Sequence, residues 1–251
     1  MSATTTLKEF FSKNPRAALA FSGGVDSSYL LYAAHSCGAD VHAYFAKTPF
    51  QPEFELEDAK RLASEVGSEL TVLKFDILTD AAVAANPPDR CYYCKKRIFG
   101  ILSEAAKRDG YTLIIDGTNA SDDAGDRPGM RALREIGVRS PLRECGLTKS
   151  DIRALSKEAE LFTWDKPAYA CLATRIPAGT AIDHDTLQRV ESAESELFAM
   201  GFTDFRVRVF HDAARLQLPE NQLNNAVARR GEVRERLKKY FDIVLLDTEV
   251  R

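Results

Sequence analysis

Residues 20–29 read Ala-Phe-Ser-Gly-Gly-Val-Asp-Ser-Ser-Tyr, AFSGGVDSSY. A turn from a strand into a helix ordinarily needs one glycine or one capping side chain. Here the apolar run Ala17–Phe21 (AALAF) feeds a turn that holds Ser22, Gly23, Gly24, Asp26 and Ser27 together, and Ser27–Ser36 continues as a helix. Glycines let the backbone approach a ligand closely, and the first N–H groups of a helix point at negative charge. The stretch therefore reads as an anion site. No Gly-Lys-Ser/Thr follows, so it is not a Walker A loop. The third glycine of the dinucleotide fingerprint is missing at its place.

Outward from this turn, strand-like and helix-like segments alternate. Val41–Lys47 and Leu70–Phe75 read as strands around a helix over Pro52–Val66, whose proline stands near its start. A helix over Lys95–Arg108 precedes a fourth strand, Thr112–Asp116. Such alternation predicts an α/β fold, a parallel sheet with helices on both faces. Ligands of such sheets sit at the carboxyl ends of the strands, where AFSGGVDS and IIDGTNASDD both fall. Thr148–Ala159 is a further helix, with Thr148 and Asp151 spaced as a capping box. An irregular stretch, Leu161–Asp183, separates it from a different pattern. There Asp185–Met200 reads as a helix, Phe205–Phe210 and Ala214–Leu218 as a hairpin, Gln222–Tyr240 as helical and Ile243–Leu246 as a strand. The expected division is a first domain over 1–168 and a smaller α/β domain over 169–251.

The 251 residues are 45% hydrophobic, enough for a substantial core, and carry a net charge of −3. No global basic field draws in nucleic acid, which speaks against an RNA- or DNA-binding role. No apolar run approaches the roughly 18 residues of a membrane span. The opening MSATTTLKEFFSKNPR lacks the apolar core of a signal peptide, so a soluble, cytoplasmic protein with no membrane partner is expected. Five cysteines, an odd number, argue against a disulfide framework. Cys37 and Cys145 read as small buried hydrophobes. Cys91 and Cys94, in RCYYCKK, form the chain's CxxC. Beside basic residues such a pair suits a redox couple, half a zinc site or part of an iron–sulfur site. A second CxxC is missing, and Cys171 in the irregular stretch is the remaining candidate ligand.

SGGVDS resembles the signature of the PP-loop pyrophosphatases. That resemblance implies a Rossmann-like sheet, the adenine nucleotide alpha hydrolase-like type, and ATP cleaved between its α and β phosphates. Ala20, Phe21, Ser22, Gly23, Gly24, Asp26 and Ser27 would bind ATP and pyrophosphate, with Asp26 catalytic beside Mg²⁺ or the phosphates. AMP would pass to a substrate oxygen and leave again when a nucleophile displaces it.

Three longer stretches narrow the resemblance: DGTNASDDAGDRPGMRALREIGVRSPL, GLTKSDIRALSKEAEL and TWDKPAYACLATRIPAGTAI. With the loop they resemble the LarE family, ATP-dependent sulfur transferases that serve biosynthesis of the nickel-pincer nucleotide cofactor of lactate racemase. The likeness runs from about residue 15 to about residue 248. It implies a small-molecule substrate, pyridinium-3,5-biscarboxylic acid mononucleotide, whose carboxylates are adenylated and become thiocarboxylates. In one branch of the family the cysteine of PxxxCLA[ST]R, here Cys171, gives up its own sulfur. In the other the CxxC pair joins it to bind a 4Fe–4S cluster. Cys91, Cys94 and Cys171 match the three-cysteine branch, which leaves one iron without a protein ligand and open to a sulfide. Sulfide or a cysteine desulfurase would then be the sulfur source.

By the same resemblance Gly117, Thr118 and Asn119 lie beside the nucleotide. Asp122 and Asp126, with Asp123 and Arg127, surround Mg²⁺ and phosphate. Arg175 joins Cys171 and Asp26 as a catalytic residue, and Arg206 and Arg208, two apart on one strand face, grip substrate phosphate. Glu191 and Glu194 read better as a solvated helix face, although the family places an acidic residue near the site in this helix. Trp164 reads as packing. The family also implies a homo-oligomer assembled through the smaller domain. Two alternatives stand: a sacrificial Cys171, and a PP-loop tRNA-thiolating enzyme, which would need a basic surface or an RNA-binding module.

Overall fold

A computed structural model of the chain describes residues 3–122 and 127–250. Two compact units divide it. One comprises Met1–Ile77 and Asp89–Lys166, the other Leu78–Pro88 and Pro167–Arg251.

In the first unit the elements run α1 (Ala3–Lys13), β1 (Arg16–Ala20), α2 (Val25–Ser36), β2 (Asp40–Lys47), α3 (Glu53–Val66) and β3 (Leu70–Lys74). After Leu78–Pro88, which carries the short α4 (Ala81–Ala84), come α5 (Arg90–Arg108), β4 (Ile114–Asp116), α6 (Pro128–Ile136), α7 (Pro141–Glu144) and α8 (Lys149–Glu158). The sheet is parallel, in the order β3-β2-β1-β4. Strand alternation sorts its side chains into two layers. Ala17, Leu19, Ala43, Phe45 and Ile115 pack against α1, α2, α3 and α8, while Ala18 and Tyr44 pack against Leu102, Ala105 and Ala106 of α5. The expected α/β architecture is what forms. Order reverses beside β1, so the turns after β1 and β4 share the switch point at which such sheets bind ligands.

Three local differences have plain causes. Helix α1 was not expected, yet Leu7, Phe10 and Phe11 are buried at the three- and four-residue spacing of one helical face. Helix α5 begins at Arg90 rather than Lys95, with Asp89 at its N-cap position, so the CxxC lies within its first two turns. Helix α6 has Pro128 at its first position and left-handed Gly137 just past its end, the usual start and stop residues.

The second unit carries α9 (His184–Ala199), β5 (Arg206–Phe210), β6 (Ala213–Gln217), α10 (Glu220–Ala228), α11 (Arg230–Leu237) and β7 (Ile243–Leu246). β5 and β6 form the expected hairpin, and β7 returns parallel to β6. The expected single helix over 222–240 is broken at Arg229, whose guanidinium bonds the Met200 carbonyl at 2.8 Å and Glu232 at 3.0 Å. Gly231, a weak helix former, follows the break. No helix among the described residues is long and apolar enough to cross a membrane.

Candidate active site

The turn after β1 is shaped by two close approaches that exclude a side chain. Gly23 has φ +68°, and a Cβ there would stand 3.1 Å from the backbone of α3 at Ala59 N and Glu55 O. Gly117, after β4, faces the start of α2, where a Cβ would lie 2.8 Å from Ser27 N. The turn after β1 is thus drawn against α3, and the turn after β4 against the start of α2. Ser22 and Ser27 tie the loop to itself, with their hydroxyls 3.0 Å apart, and the Gly24 N–H donates to Ser22 Oγ at 3.3 Å. Lys166 Nζ donates to the Gly23 carbonyl at 3.3 Å and pairs with Asp58 at 2.6 Å.

Asp26 stands in the first turn of α2. Its Oδ2 accepts from Lys149 Nζ at 2.5 Å, while its Oδ1 is buried with no hydrogen-bond partner. Burial pushes the carboxyl above its ordinary value, and the Lys149 ammonium opposes that shift without cancelling it. An orphaned, buried carboxylate oxygen at a helix N-terminus suits a hard cation, which prefers oxygen ligands. Asp122 adds a second carboxylate whose charge bears on Asp26. Mg²⁺ is commonly held by only one or two carboxylates plus phosphate, so this donor set fits it. Asp116, at the end of β4, is committed to the fold: it accepts from Thr118 Oγ1 and Ser140 Oγ, both at 2.7 Å. Asn119, buried, receives the Ser121 N–H on its side chain at 2.8 Å. The structure thus brings Ala20–Ser27 and Gly117–Asn119 together. Asp123 and Asp126 lie outside the described residues.

Cys91 and Cys94 share one face of α5, three residues apart at its amino end. No disulfide joins any cysteine. Cys37 and Cys145 pack against the main core, and burial pushes both thiols up, which disfavours metal ligation. Among the described residues no group of three or more His, Cys, Asp or Glu gathers as a metal site.

In the second unit Cys171 caps a short 3₁₀ turn, Leu172–Arg175. Arg175 is wholly buried and pairs in fork geometry with Glu194, Nε to Oε1 at 2.9 Å and Nη2 to Oε2 at 3.0 Å. Its remaining nitrogen donates to the Ala170 carbonyl at 2.7 Å. Glu194 Oε1 also accepts the Val207 N–H at 2.9 Å, and Glu194 Oε2 the Tyr169 hydroxyl. Arg208 reaches the Thr174 carbonyl at 3.0 Å. One network therefore binds the Cys171 turn, α9 and β5 together, and places Arg206 and Arg208 on either side of Val207.

Glu194 corrects the solvated-face reading: it is 2% exposed. Helix α9 turns this position inward beside Leu187, Val190 and Leu197, and Arg175 supplies its partner. Spacing to Glu191 hid this; spacing to Leu187, Val190 and Leu197 would have found it. Glu194→Ala strands a buried guanidinium, and the expected loss is about 3–5 kcal/mol of folding stability, read by urea denaturation. A loss below about 1 kcal/mol would mean water reaches Arg175. Trp164, read as packing, is exposed, with the Lys157 ammonium 4.6 Å from the centre of its ring. Lys149 and Lys166 were missed. Lys149 follows the cap residue Thr148, and the capping box drew attention to the helix end rather than to the ammonium.

Residues 10–120 match the asparagine synthase family model. An uncharacterised protein of Synechocystis sp. is 37% identical over 97% of this chain and 92% of its own length. The pyridinium-3,5-bisthiocarboxylic acid mononucleotide synthase of Lactiplantibacillus plantarum is 36% identical over 92% of this chain and 85% of its own. The chain belongs to the LarE family. It is an enzyme, an ATP-dependent sulfurtransferase of the PP-loop class. An uncharacterised protein of Methanocaldococcus jannaschii is 33% identical over 97% of this chain and 93% of its own length.

Proposed function

We propose that this LarE-family enzyme converts the carboxylates of pyridinium-3,5-biscarboxylic acid mononucleotide to thiocarboxylates, consuming ATP and forming AMP and pyrophosphate. The observation that carries the reading is the unpartnered Asp26 Oδ1 at the glycine turn, beside the whole-length likeness to a synthase of that product. The triphosphate lies on the N–H groups of Gly23–Ser27, with Asp26 and Asp122 holding Mg²⁺. Asp126 would join them. A substrate carboxylate attacks the α-phosphorus, the bond to the β-phosphate breaks, and pyrophosphate stays on the loop. The acyl-adenylate carbonyl is then electrophilic, with AMP as a good leaving group. Arg206 and Arg208 bind the nucleotide phosphate, whose charge and geometry suit guanidinium. Arg175 acts through the Cys171 turn, as a positioning residue locked by Glu194.

Three thiolates suit the soft iron sites of a 4Fe–4S cluster, and Cys91, Cys94 and Cys171 would be its ligands. When bound, such a cluster supplies a sulfide to the activated acyl carbon. Reduced thiols of this kind suit a cytoplasmic enzyme, reloaded from sulfide or a cysteine desulfurase and assembled as a homo-oligomer. The test is direct. Anaerobically reconstituted protein, the mononucleotide, MgATP and sulfide should give one AMP per carboxylate converted and a product mass higher by one oxygen-to-sulfur exchange at each. Pyrophosphate release with no sulfur in the product would overturn the transfer, and no release with this substrate would overturn the substrate.

A further inference from the structure

A carboxylate that awaits MgATP must be balanced in the nucleotide-free enzyme. Asp26 is half satisfied: Lys149 Nζ lies 2.5 Å from Oδ2, and Oδ1 has no hydrogen-bond partner. The backbone of Lys149 is fixed from two sides. Its N–H donates to Ser121 Oγ at 2.9 Å, and the Thr148–Asp151 capping box sets the start of α8. Ser121 in turn is tied to buried Asn119. Only the four-carbon stem is left to move. That stem ends in a compact point charge with three donors, 34% exposed.

Two cations cannot share one small carboxylate without repelling each other. Mg²⁺ demands oxygen ligands in near-ideal geometry and brings phosphates with it. We propose that Lys149 is a tethered counter-ion that holds the metal position at Asp26 in the nucleotide-free enzyme and is exchanged for Mg²⁺ when MgATP binds. The freed ammonium then turns to the arriving triphosphate. The exchange keeps free Mg²⁺ off the loop and makes metal and nucleotide bind together, and such coupling is reciprocal. It rests on the reading of Gly23–Ser27 as the MgATP site.

The experiment is a titration of the nucleotide-free, folded protein with Mn²⁺, read by electron paramagnetic resonance. Lys149→Met and Lys149→Gln are expected to bind Mn²⁺ at least tenfold more tightly than the wild type. Lys149→Arg, which keeps the charge, should bind as weakly as the wild type. Adding Asp26→Asn to Lys149→Met should abolish the gain. Damage to the fold loosens a metal site, so tightening cannot come from a merely structural role. A neutral variant that binds Mn²⁺ within twofold of the wild type would overturn the proposal, as would a gain that survives Asp26→Asn. The underlying reading has its own readout. The wild type should bind Mn²⁺ with the non-cleavable α,β-methylene analogue of ATP, and failure there would sink the nucleotide site itself.

Discussion

Asp26→Asn is expected to leave the enzyme folded, more stable without nucleotide, and nearly inactive. The two effects have one cause. The carboxyl is partly buried, its Oδ1 is buried with no partner, and its ionised form is disfavoured relative to water. With a folded-state value above the ordinary carboxylate value, Asp26 contributes stability at low pH and loses it as pH rises through the window between those two values. At neutral pH that contribution is gone, and the neutral amide escapes the loss. Lys149, partly exposed, can turn to water. A gain of about 1 kcal/mol, or about 2–4 °C in melting temperature, is the expected size. Pyrophosphate release should fall about 10²–10³-fold, because the charge that orders metal and phosphates is missing. Two measurements check it: a melting curve of each protein from below the ordinary carboxylate value up to neutral pH, and the rate of pyrophosphate formation. The advantage of the variant should grow as pH rises and vanish at the acid end. An equal melting temperature at every pH would show that Asp26 carries no stored cost.

The first unit was legible because its signals are local. AALAF followed by SGGVDS fixes a strand, a turn and a helix within some fifteen residues, and the alternation of segments fixes the parallel sheet. The glycine turn was therefore legible from spacing as an anion site, and its reading as an ATP site came from the resemblance to the PP-loop family. What escaped depends on partners distant in sequence. Glu194 is buried because Arg175, Tyr169 and the Val207 N–H converge on it. Lys149 matters because it meets Asp26 across 123 positions of chain. The start of α5 was misplaced for a smaller reason. Cysteine and tyrosine are indifferent helix formers, so RCYYC reads as loop until Asp89 is recognised as the cap. That shift matters chemically, since it puts both thiols on one face at a positive helix end rather than in a flexible approach.

The second large effect concerns the three cysteines. Cys91→Ala, Cys94→Ala and Cys171→Ala are each expected to abolish thiocarboxylate formation while AMP and pyrophosphate still form, because none of the three belongs to the phosphate turn. Anaerobic reconstitution with iron and sulfide should load about four irons on the wild type, and each substitution should remove them. Cys37→Ala and Cys145→Ala are the controls. Both thiols are raised by burial and packed against the core, so iron content should stay at the wild-type level. The contrary result is equally definite. A wild type that holds no stable iron, transfers one sulfur per chain and loses sulfur mass at Cys171 would make that thiol the donor itself. Cys91→Ala and Cys94→Ala would then retain the single turnover. The distinction separates a catalyst from a single-use reagent, and it turns on whether a helix-end pair of cysteines is put to use with Cys171 or merely accompanies it.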